Sequence, residues 1–375
     1  MTRLIDESIL DDEEALAAAD PGDMLRAVAS AGAQVREAVL QAGEAPIGRV
    51  VEDGRPRAVV VAGMGGSGIT ADVLGAVAGT SCPVPVVAHR GHRLPGWVGP
   101  MDLVVAVSCS GRTEETLTVA DEAVRRGARL VAVASAGSPL AERAVGGYGV
   151  HLPVVHGGRV PRANFWALSV PVLLLADALG LVPVPPAVLA GVADDLDRIS
   201  AQCAPSSETY DNPAKRLALE LAGTLPCVWG TSEVAGAAAY RFSCQLAENA
   251  KYPSVYGALP EVQHNQVVAF AGAFGAAPPG GGDDIFRDRV DDEPSWPRLR
   301  LVLLRDTEEL PQVRRRRELT FPLADEYGVG VDEVPAEGQH PVARLASLVA
   351  PTDFASVYLA LLQGVDPTPI DPITR

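Results

Sequence analysis

The chain has 375 residues, of which 47% are hydrophobic and 21% charged, and it carries a formal net charge of -16. This length predicts two domains with separate cores, and the negative charge excludes nucleic acids and anionic membrane surfaces as partners. The five cysteines show no metal-type or paired spacing and predict free thiols in the cytoplasm, while the lack of an apolar run of about 18 residues predicts no membrane-spanning helix.

Apolar runs and helical stretches alternate along the chain. An amphipathic helix is predicted from Asp20-Pro21 onwards, with apolar residues at helical spacing from Met24 to Val39. Continuous apolar runs then predict buried strands, and amphipathic stretches between them predict helices. The predicted strands are 57–62, 84–88, 103–107 and 129–134, and the predicted helices start near residue 69 and cover 114–126 and 139–145. This alternation predicts a doubly wound, mainly parallel α/β sheet.

A second series of the same kind follows the polar stretch 200–212. It comprises a helix at 213–222, a strand at 227–230, a helix at 233–250, a strand at 299–304 and an apolar helix at 353–363. The basic run 314–317 is interpreted as a solvated helical face. The predicted domain plan is an acidic N-terminal extension (1–20), a first domain (21–185), a connecting helix and linker (186–212), and a second domain (213–375) with a flexible Gly-, Pro- and Asp-rich insertion at 272–296.

A glycine cluster, residues 63–68 (GMGGSG), follows the first predicted strand and precedes a helix. Its spacing fits an anion-binding turn, a dinucleotide-binding motif or a tight structural turn. An NAD site needs an acidic residue about 20 positions later, where this chain has His89-Arg90. That substitution disfavours NAD and leaves an NADP-linked enzyme open.

A hydroxyl-rich segment, residues 107–116 (VSCSGRTEET), lies between the next apolar strand and helix. Ser108, Ser110 and Thr113 flank the predicted helix start, where backbone N–H groups and the positive end of the helix dipole favour an anion. Thr113 also fits an N-cap, with Glu114 and Glu115 complementing the dipole. Both interpretations are compatible, and the segment predicts a phosphate site without lysine.

The two motifs together resemble the sugar isomerase (SIS) domain. Residues 160–163 (VPRA), 248–251 (ENAK), 259–265 (LPEVQHN) and 358–369 (YLALLQGVDPTP) narrow the resemblance to the bifunctional phosphoglucose/phosphomannose isomerase family. The resemblance implies two SIS-type domains and an aldose–ketose isomerase acting on a hexose 6-phosphate through a cis-enediol. It also implies no metal, no organic cofactor, and a homodimer in which His264 reaches the partner's site.

The same resemblance implies the roles of individual residues. Glu248 is the base that moves a proton between C2 and C1, Arg162 stabilises the enediolate, and His264 assists ring opening. The residues implied to bind phosphate and sugar are Ser67, Ser108, Ser110, Thr113, Gly65 and Gly66.

Three departures from the family pattern favour a second hypothesis. A C-terminal lysine of the family has no counterpart before Arg375, Arg112 replaces a small polar residue, and Gln266 replaces a glutamate expected to orient His264. The alternative function is a sugar-phosphate-binding SIS protein with reduced or lost isomerase activity and a regulatory role.

Overall fold

The computed structural model describes residues 7–275 and 297–374, so most of the predicted insertion 272–296 and Arg375 lie outside the described residues. The chain divides into two compact units. The first unit comprises Arg26–Arg198 and His340–Ala343, and the second comprises Met1–Leu25, Ile199–Gln339 and Arg344–Arg375. The domain boundaries given above stay a prediction.

The first unit contains a five-stranded sheet in the order β2-β1-β3-β4-β5, parallel throughout. Every residue of the central β3 is buried, because helices cover both faces of the sheet. The strands are β1 Val59–Ala62, β2 Val86–His89, β3 Leu103–Ser108, β4 Arg129–Ala134 and β5 Val150–Pro153.

Most of the helices before residue 203 belong to the first unit. The N-terminal helix α1, Glu13–Ala19, belongs to the second unit. Among those of the first unit, α6 buries Val119, Ala120 and Ala123 against the apolar residues of β3 and β4, which form one core cluster. The helices in this part of the chain are α1 Glu13–Ala19, α2 Met24–Ala29, α3 Ala31–Glu44, α4 Gly48–Glu52, α5 Gly65–Ala78, α6 Glu114–Arg125, α7 Pro139–Gly146, α8 Phe165–Ala178 and α9 Pro186–Gln202.

The second unit repeats the same winding with four parallel strands in the order β7-β6-β8-β9. Its core packs Trp229 and Phe270 as stacked rings, with centroids 5.6 Å apart, among leucines of β8. Its further elements are α10 Pro213–Leu221, β6 Leu225–Gly230, α11 Glu233–Asn249, β7 Val255–Ala258, β8 Leu299–Arg305, α12 Pro311–Glu326, β9 Gly330–Pro335, α13 Pro341–Leu362 and α14 Asp371–Thr374. The predicted fold class, two doubly wound α/β sheets, is confirmed.

Several predicted elements differ from the structure. The amphipathic lead-in is two helices, α2 and α3, separated at Ser30, and α5 begins at Gly65 rather than near residue 69. The basic run lies on α12, where Arg314 and Arg315 are exposed, as a solvated face predicts. Arg317 is 14% exposed and pairs with Glu309 at 2.9 Å.

The closing apolar helix α13 starts twelve residues earlier than the 353–363 prediction. Among the described residues it is the one helix long and apolar enough to cross a membrane, judged by length and composition. Its apolar window is 94% buried inside the structure, as in the core helix of a globular protein. Because it is buried in this way, α13 is only weak evidence for a membrane-spanning segment.

Candidate active site

The two predicted binding motifs meet at one edge of the first sheet. The chain passes from β1 through α5 to β2 on one side, and β3 then pairs with β1 on the other side. Ligands of open α/β sheets bind at such a topological switch point, outside the carboxyl ends of the strands. Residues 63–68, here the glycine turn, follow β1, and residues 108–113, here the phosphate loop, follow β3.

Hydrogen bonds connect the glycine turn to the phosphate loop. The backbone N–H of Cys109 donates to Ser67 Oγ at 3.2 Å, and Ser108 Oγ lies 2.9 Å from Thr113 Oγ1. Ser67 and Ser108 are buried, whereas Ser110 is exposed and Thr113 is half-buried. The structure thus brings together the four hydroxyl residues predicted to bind phosphate.

Thr113 occupies the N-cap position of α6 with extended backbone angles. Its hydroxyl pairs with Ser108 and makes no capping hydrogen bond within the described chain. The N–H groups of the first turn of a helix lack intrahelical acceptors and attract anions. The N-cap interpretation therefore holds for the backbone of Thr113, while its side chain leaves the helix end open to a ligand.

Gly111 forms the turn of the phosphate loop and has a left-handed backbone, with φ of +62°. A Cβ at this position would lie 2.1 Å from Ser138 Oγ, and Ser138 itself is buried at the N-cap of α7. Ser135 adds a further bond from the same segment by donating to Cys109 O at 2.5 Å. Ser135 and Ser138 therefore contact the phosphate loop from the segment that follows β4. Neither residue belongs to a motif that predicts this contact from the sequence.

Arg162 approaches the glycine turn through its backbone. A Cβ on Gly66 would lie 3.1 Å from Arg162 Cα and 3.3 Å from its N atom, a tight contact that would push the two backbones apart by a few tenths of an ångström. Arg162 is 2% exposed, in a short 3-10 helix, Pro161–Ala163. The predicted residues Gly65, Gly66 and Arg162 consequently share the switch-point edge with the hydroxyl residues.

Burial and one nearby positive charge act on the phosphate loop at Cys109. Burial raises the pKa of the Cys109 thiol to about 11, and the positive charge of Arg159 offsets part of this shift. Arg159 therefore lies close enough to act on the loop, although no motif predicted it. The thiol stays protonated near neutral pH, which rules out Cys109 as a thiolate nucleophile there.

Arg90, the residue that kept an NADP site open, has other partners. It forms an ion pair with Asp72 of α5 and donates to Gly68 O at 3.2 Å. Its guanidinium thus ties β2 to α5, which does not favour the NADP hypothesis. Among the described residues there is no group of three or more His, Cys, Asp or Glu side chains arranged to hold a metal.

The second sheet has the corresponding switch point between β6 and β8, and an internal carboxylate occupies it. Ser232, the N-cap of α11, donates to Asp306 Oδ2 at 2.6 Å, and Asp306 N donates to Thr231 Oγ1 at 2.9 Å. Arg344 pairs with Asp306 Oδ1 at 2.7 Å, with side chains 4% and 1% exposed. A buried Arg–Asp pair therefore fills this switch point in the second sheet.

The two remaining predicted residues, Glu248 and His264, belong to the second unit. Glu248 is half-buried in the last turn of α11, and His264 is exposed at the end of a short 3-10 helix, Glu261–His264. Gln266 accepts a hydrogen bond from Trp229 Nε1 and donates to Tyr256 O, each at 2.8 Å. A glutamate could accept from Trp229 but not donate to Tyr256, so this departure from the family pattern has a local structural reason.

Comparisons with known proteins agree with this architecture. The model of the SIS domain matches residues 55–176, and that of the bacterial phospho-glucose isomerase C-terminal SIS domain matches residues 210–375. A bifunctional phosphoglucose/phosphomannose isomerase of Caldicellulosiruptor bescii is 31% identical over 317 residues, which are 84% of this chain and 87% of that protein. The chain belongs to the bifunctional phosphoglucose/phosphomannose isomerase family.

A second member of the phosphoglucose/phosphomannose isomerase family, from Aquifex aeolicus, is 29% identical over 85% of this chain and 89% of its own length. Among solved structures, a hypothetical protein from Thermus thermophilus superimposes with a TM-score of 0.69 at 17% identity, covering 98% of this chain and 92% of that chain. The structural likeness shows the fold alone. Family membership confirms the sequence resemblance.

Proposed function

We propose that the protein is an aldose–ketose isomerase that interconverts glucose 6-phosphate or mannose 6-phosphate with fructose 6-phosphate through a cis-enediol. The observation that carries the proposal is the arrangement at the first switch point, where Ser108 pairs with Thr113 and Ser67 accepts from Cys109 N beside an open helix end. The similar proteins named as isomerases favour turnover over sugar-phosphate binding alone.

The proposal assigns the phosphate group of the substrate to Ser67, Ser108, Ser110 and Thr113, with Gly65 and Gly66 beside the sugar. Hydroxyl and backbone N–H donors suit a phosphate dianion because hydrogen bonds to charged acceptors are the strong ones. Glycine at position 66 lets the backbone of Arg162 approach this turn closely.

The chemical step falls to Glu248 and Arg162, with His264 assisting ring opening. The Glu248 carboxylate removes the C2 proton of the open-chain aldose and returns it to C1, while the proton of the C2 hydroxyl passes to the C1 oxygen. Arg162 stabilises the negative charge of the enediolate between the two transfers. The reaction needs neither a metal nor an organic cofactor in this scheme.

The proposal also includes a homodimer in which His264 of one protomer serves the site of its partner. Two observations support it: His264 is exposed on the single chain, and Val268, four residues later, is 71% exposed. Exposed apolar residues beside a functional histidine suit a protein contact.

Isotope exchange tests the proposal directly. Incubating the protein with fructose 6-phosphate in deuterated water should place deuterium at C1 of the ketose and C2 of the aldose, because the base exchanges its proton with solvent. Glu248→Gln should slow this exchange by about 10²- to 10⁴-fold, whereas Glu233→Gln, an exposed acid at the other end of α11, should leave it unchanged.

The outcome that sinks the isomerase proposal is fructose 6-phosphate binding without any deuterium incorporation in the unsubstituted protein. That result would select the binding-only alternative. A coupled assay with glucose 6-phosphate and mannose 6-phosphate in parallel then determines which epimer is used.

A further inference from the structure

The chain uses lysine at two positions only, Lys215 and Lys251, among 31 lysine and arginine residues. Both ammonium groups are surrounded by backbone carbonyls. Lys215 Nζ donates to Pro205 O at 2.7 Å and Ser207 O at 2.6 Å. A compact ammonium suits a cluster of carbonyl oxygens in different directions better than the planar fork of arginine, which explains why these two positions depart from the arginine used elsewhere.

Lys251 contacts two segments of the second unit. Its Nζ donates to Glu248 O at 2.9 Å and Asn249 O at 3.2 Å, and also to Asp366 O at 3.1 Å and Pro367 O at 3.2 Å. The first two carbonyls end α11, and the last two belong to the segment after α13. One side chain therefore ties the backbone of Glu248 to residues 366–367.

The contacts of the Lys251 ammonium stabilise two local features, the end of α11 and the backbone of Lys251 itself. The last carbonyls of a helix lack intrahelical donors and carry the negative end of its dipole, which a cation satisfies. Lys251 also holds a left-handed backbone, with φ of 53°, a conformation that is unfavourable for a non-glycine residue and persists where the surroundings compensate. Its four carbonyl contacts are that compensation.

Hydrogen bonds within and beside residues 366–368 fold this segment into a turn. Thr368 N donates to Asp366 Oδ1 at 2.8 Å, and Val365 N donates to Ala360 O at 2.9 Å. Gly22 packs against it, since a Cβ there would lie within 3 Å of the Thr368 side chain. The segment is thus a folded turn, which Lys251 joins to the end of α11.

We propose that Lys251 is a positioning residue for the isomerase: its ammonium fixes the backbone at Glu248 and holds residues 366–367 against the end of α11. The proposal rests on the proposed role of Glu248 as the base. Lys251 touches no reacting atom in this scheme, and it acts by placing the carboxylate. Small misplacements of a reacting group reduce rates strongly, so the effect belongs in kcat rather than in sugar-phosphate affinity.

The test combines a kinetic and a structural readout on the full chain. Lys251→Ala should lower kcat for fructose 6-phosphate by about 10- to 100-fold, with its dissociation constant unchanged, and should speed amide hydrogen exchange in residues 363–370. Added ammonium ions should partly restore both readouts by occupying the space among the four carbonyls, whereas Lys251→Arg should show the defect without rescue. Arg315→Ala, which removes an exposed cation of α12, is the control and should leave exchange at 363–370 unchanged.

Three results would overturn the proposal: an unchanged kcat in Lys251→Ala, unchanged exchange at 363–370 in that variant, or a lower kcat that ammonium ions do not raise at all. Should Lys251→Ala fail to fold, Lys251→Gln, which keeps two N–H donors without the charge, is measured in the same way. The hydrogen-exchange readout does not depend on turnover, so a failure of the isomerase proposal, seen as no deuterium incorporation in the unsubstituted protein, is distinguishable.

Discussion

Ser108 and Ser110 lie two residues apart in the phosphate loop but differ in burial, which makes them a matched pair. Ser110 is exposed, and its hydroxyl accepts only a long bond, 3.3 Å, from Arg112 N among the bonds of the described chain. Ser110→Ala should therefore change the free energy of unfolding by less than about 0.5 kcal/mol. It should lose a hydrogen bond to a charged acceptor, about 1.5–3 kcal/mol, which is roughly a 10- to 150-fold increase in the dissociation constant.

Ser108 should behave differently because it is 1% exposed and its hydroxyl also serves the fold. Ser108 Oγ accepts from Gly111 N at 3.1 Å and pairs with Thr113 Oγ1. Ser108→Ala should cost about 1–3 kcal/mol of stability in addition to the loss of affinity. Urea unfolding and calorimetric titration with fructose 6-phosphate and inorganic phosphate measure the two quantities. Unchanged affinity in Ser110→Ala would refute the assignment of Ser110 to the phosphate, and equal loss of stability in both variants would refute the argument from burial.

Two further predictions concern buried charge and a buried thiol. Asp306→Ala removes one of the two carboxylates that pair with the buried Arg344 guanidinium and leaves Glu308 at 3.1 Å. The variant should lower the free energy of unfolding by about 1–3 kcal/mol, the cost of buried donors left without an acceptor, and unchanged stability in urea unfolding would contradict this. Inorganic phosphate should give a larger thermal shift in the variant than in the unsubstituted protein, because the vacated position can accept an anion. Cys109 should resist iodoacetamide at pH 7, since its pKa of about 11 leaves almost no thiolate. The partly exposed Cys82 and Cys244 should react. Mass spectrometry of the labelled peptides measures the three rates, and alkylation of Cys109 at the rate of the other two cysteines would contradict the burial argument.

The elements that sequence predicted well share one property, a strong and uninterrupted pattern. β3 and β4 are continuous apolar runs that are buried on nearly every residue, and α6 has a clear start at Thr113 and an amphipathic face. The sequence analysis does not predict β5, β7 and β9, which lack a continuous buried run, so these strands depend on pairing partners distant in sequence. β2 is equally short and has no fully buried residue, but its apolar run at 84–88 still predicts a strand.

The candidate site was predictable only as far as its motifs are local. The glycine turn and the phosphate loop each sit between a strand and a helix, so their meeting at one sheet edge follows from parallel topology. The support given by Ser135 and Ser138, the electrostatic effect of Arg159, and the pairing of Arg90 with Asp72 depend on contacts between distant segments. No periodicity or spacing encodes them.

The two switch points show why the fold alone does not make a phosphate site. Both sheets wind in the same way and both place a helix N-terminus at the same edge, and the chain as a whole repels anions with its net charge of -16. Because charges beyond about 10 Å are screened by salt, the nearest groups decide. In the first unit these are hydroxyls and an uncapped helix; in the second, Ser232 caps its own helix and Asp306 supplies the anion internally. Differences at a few side chains therefore separate the proposed phosphate site from a switch point filled by an internal ion pair, within one repeated architecture.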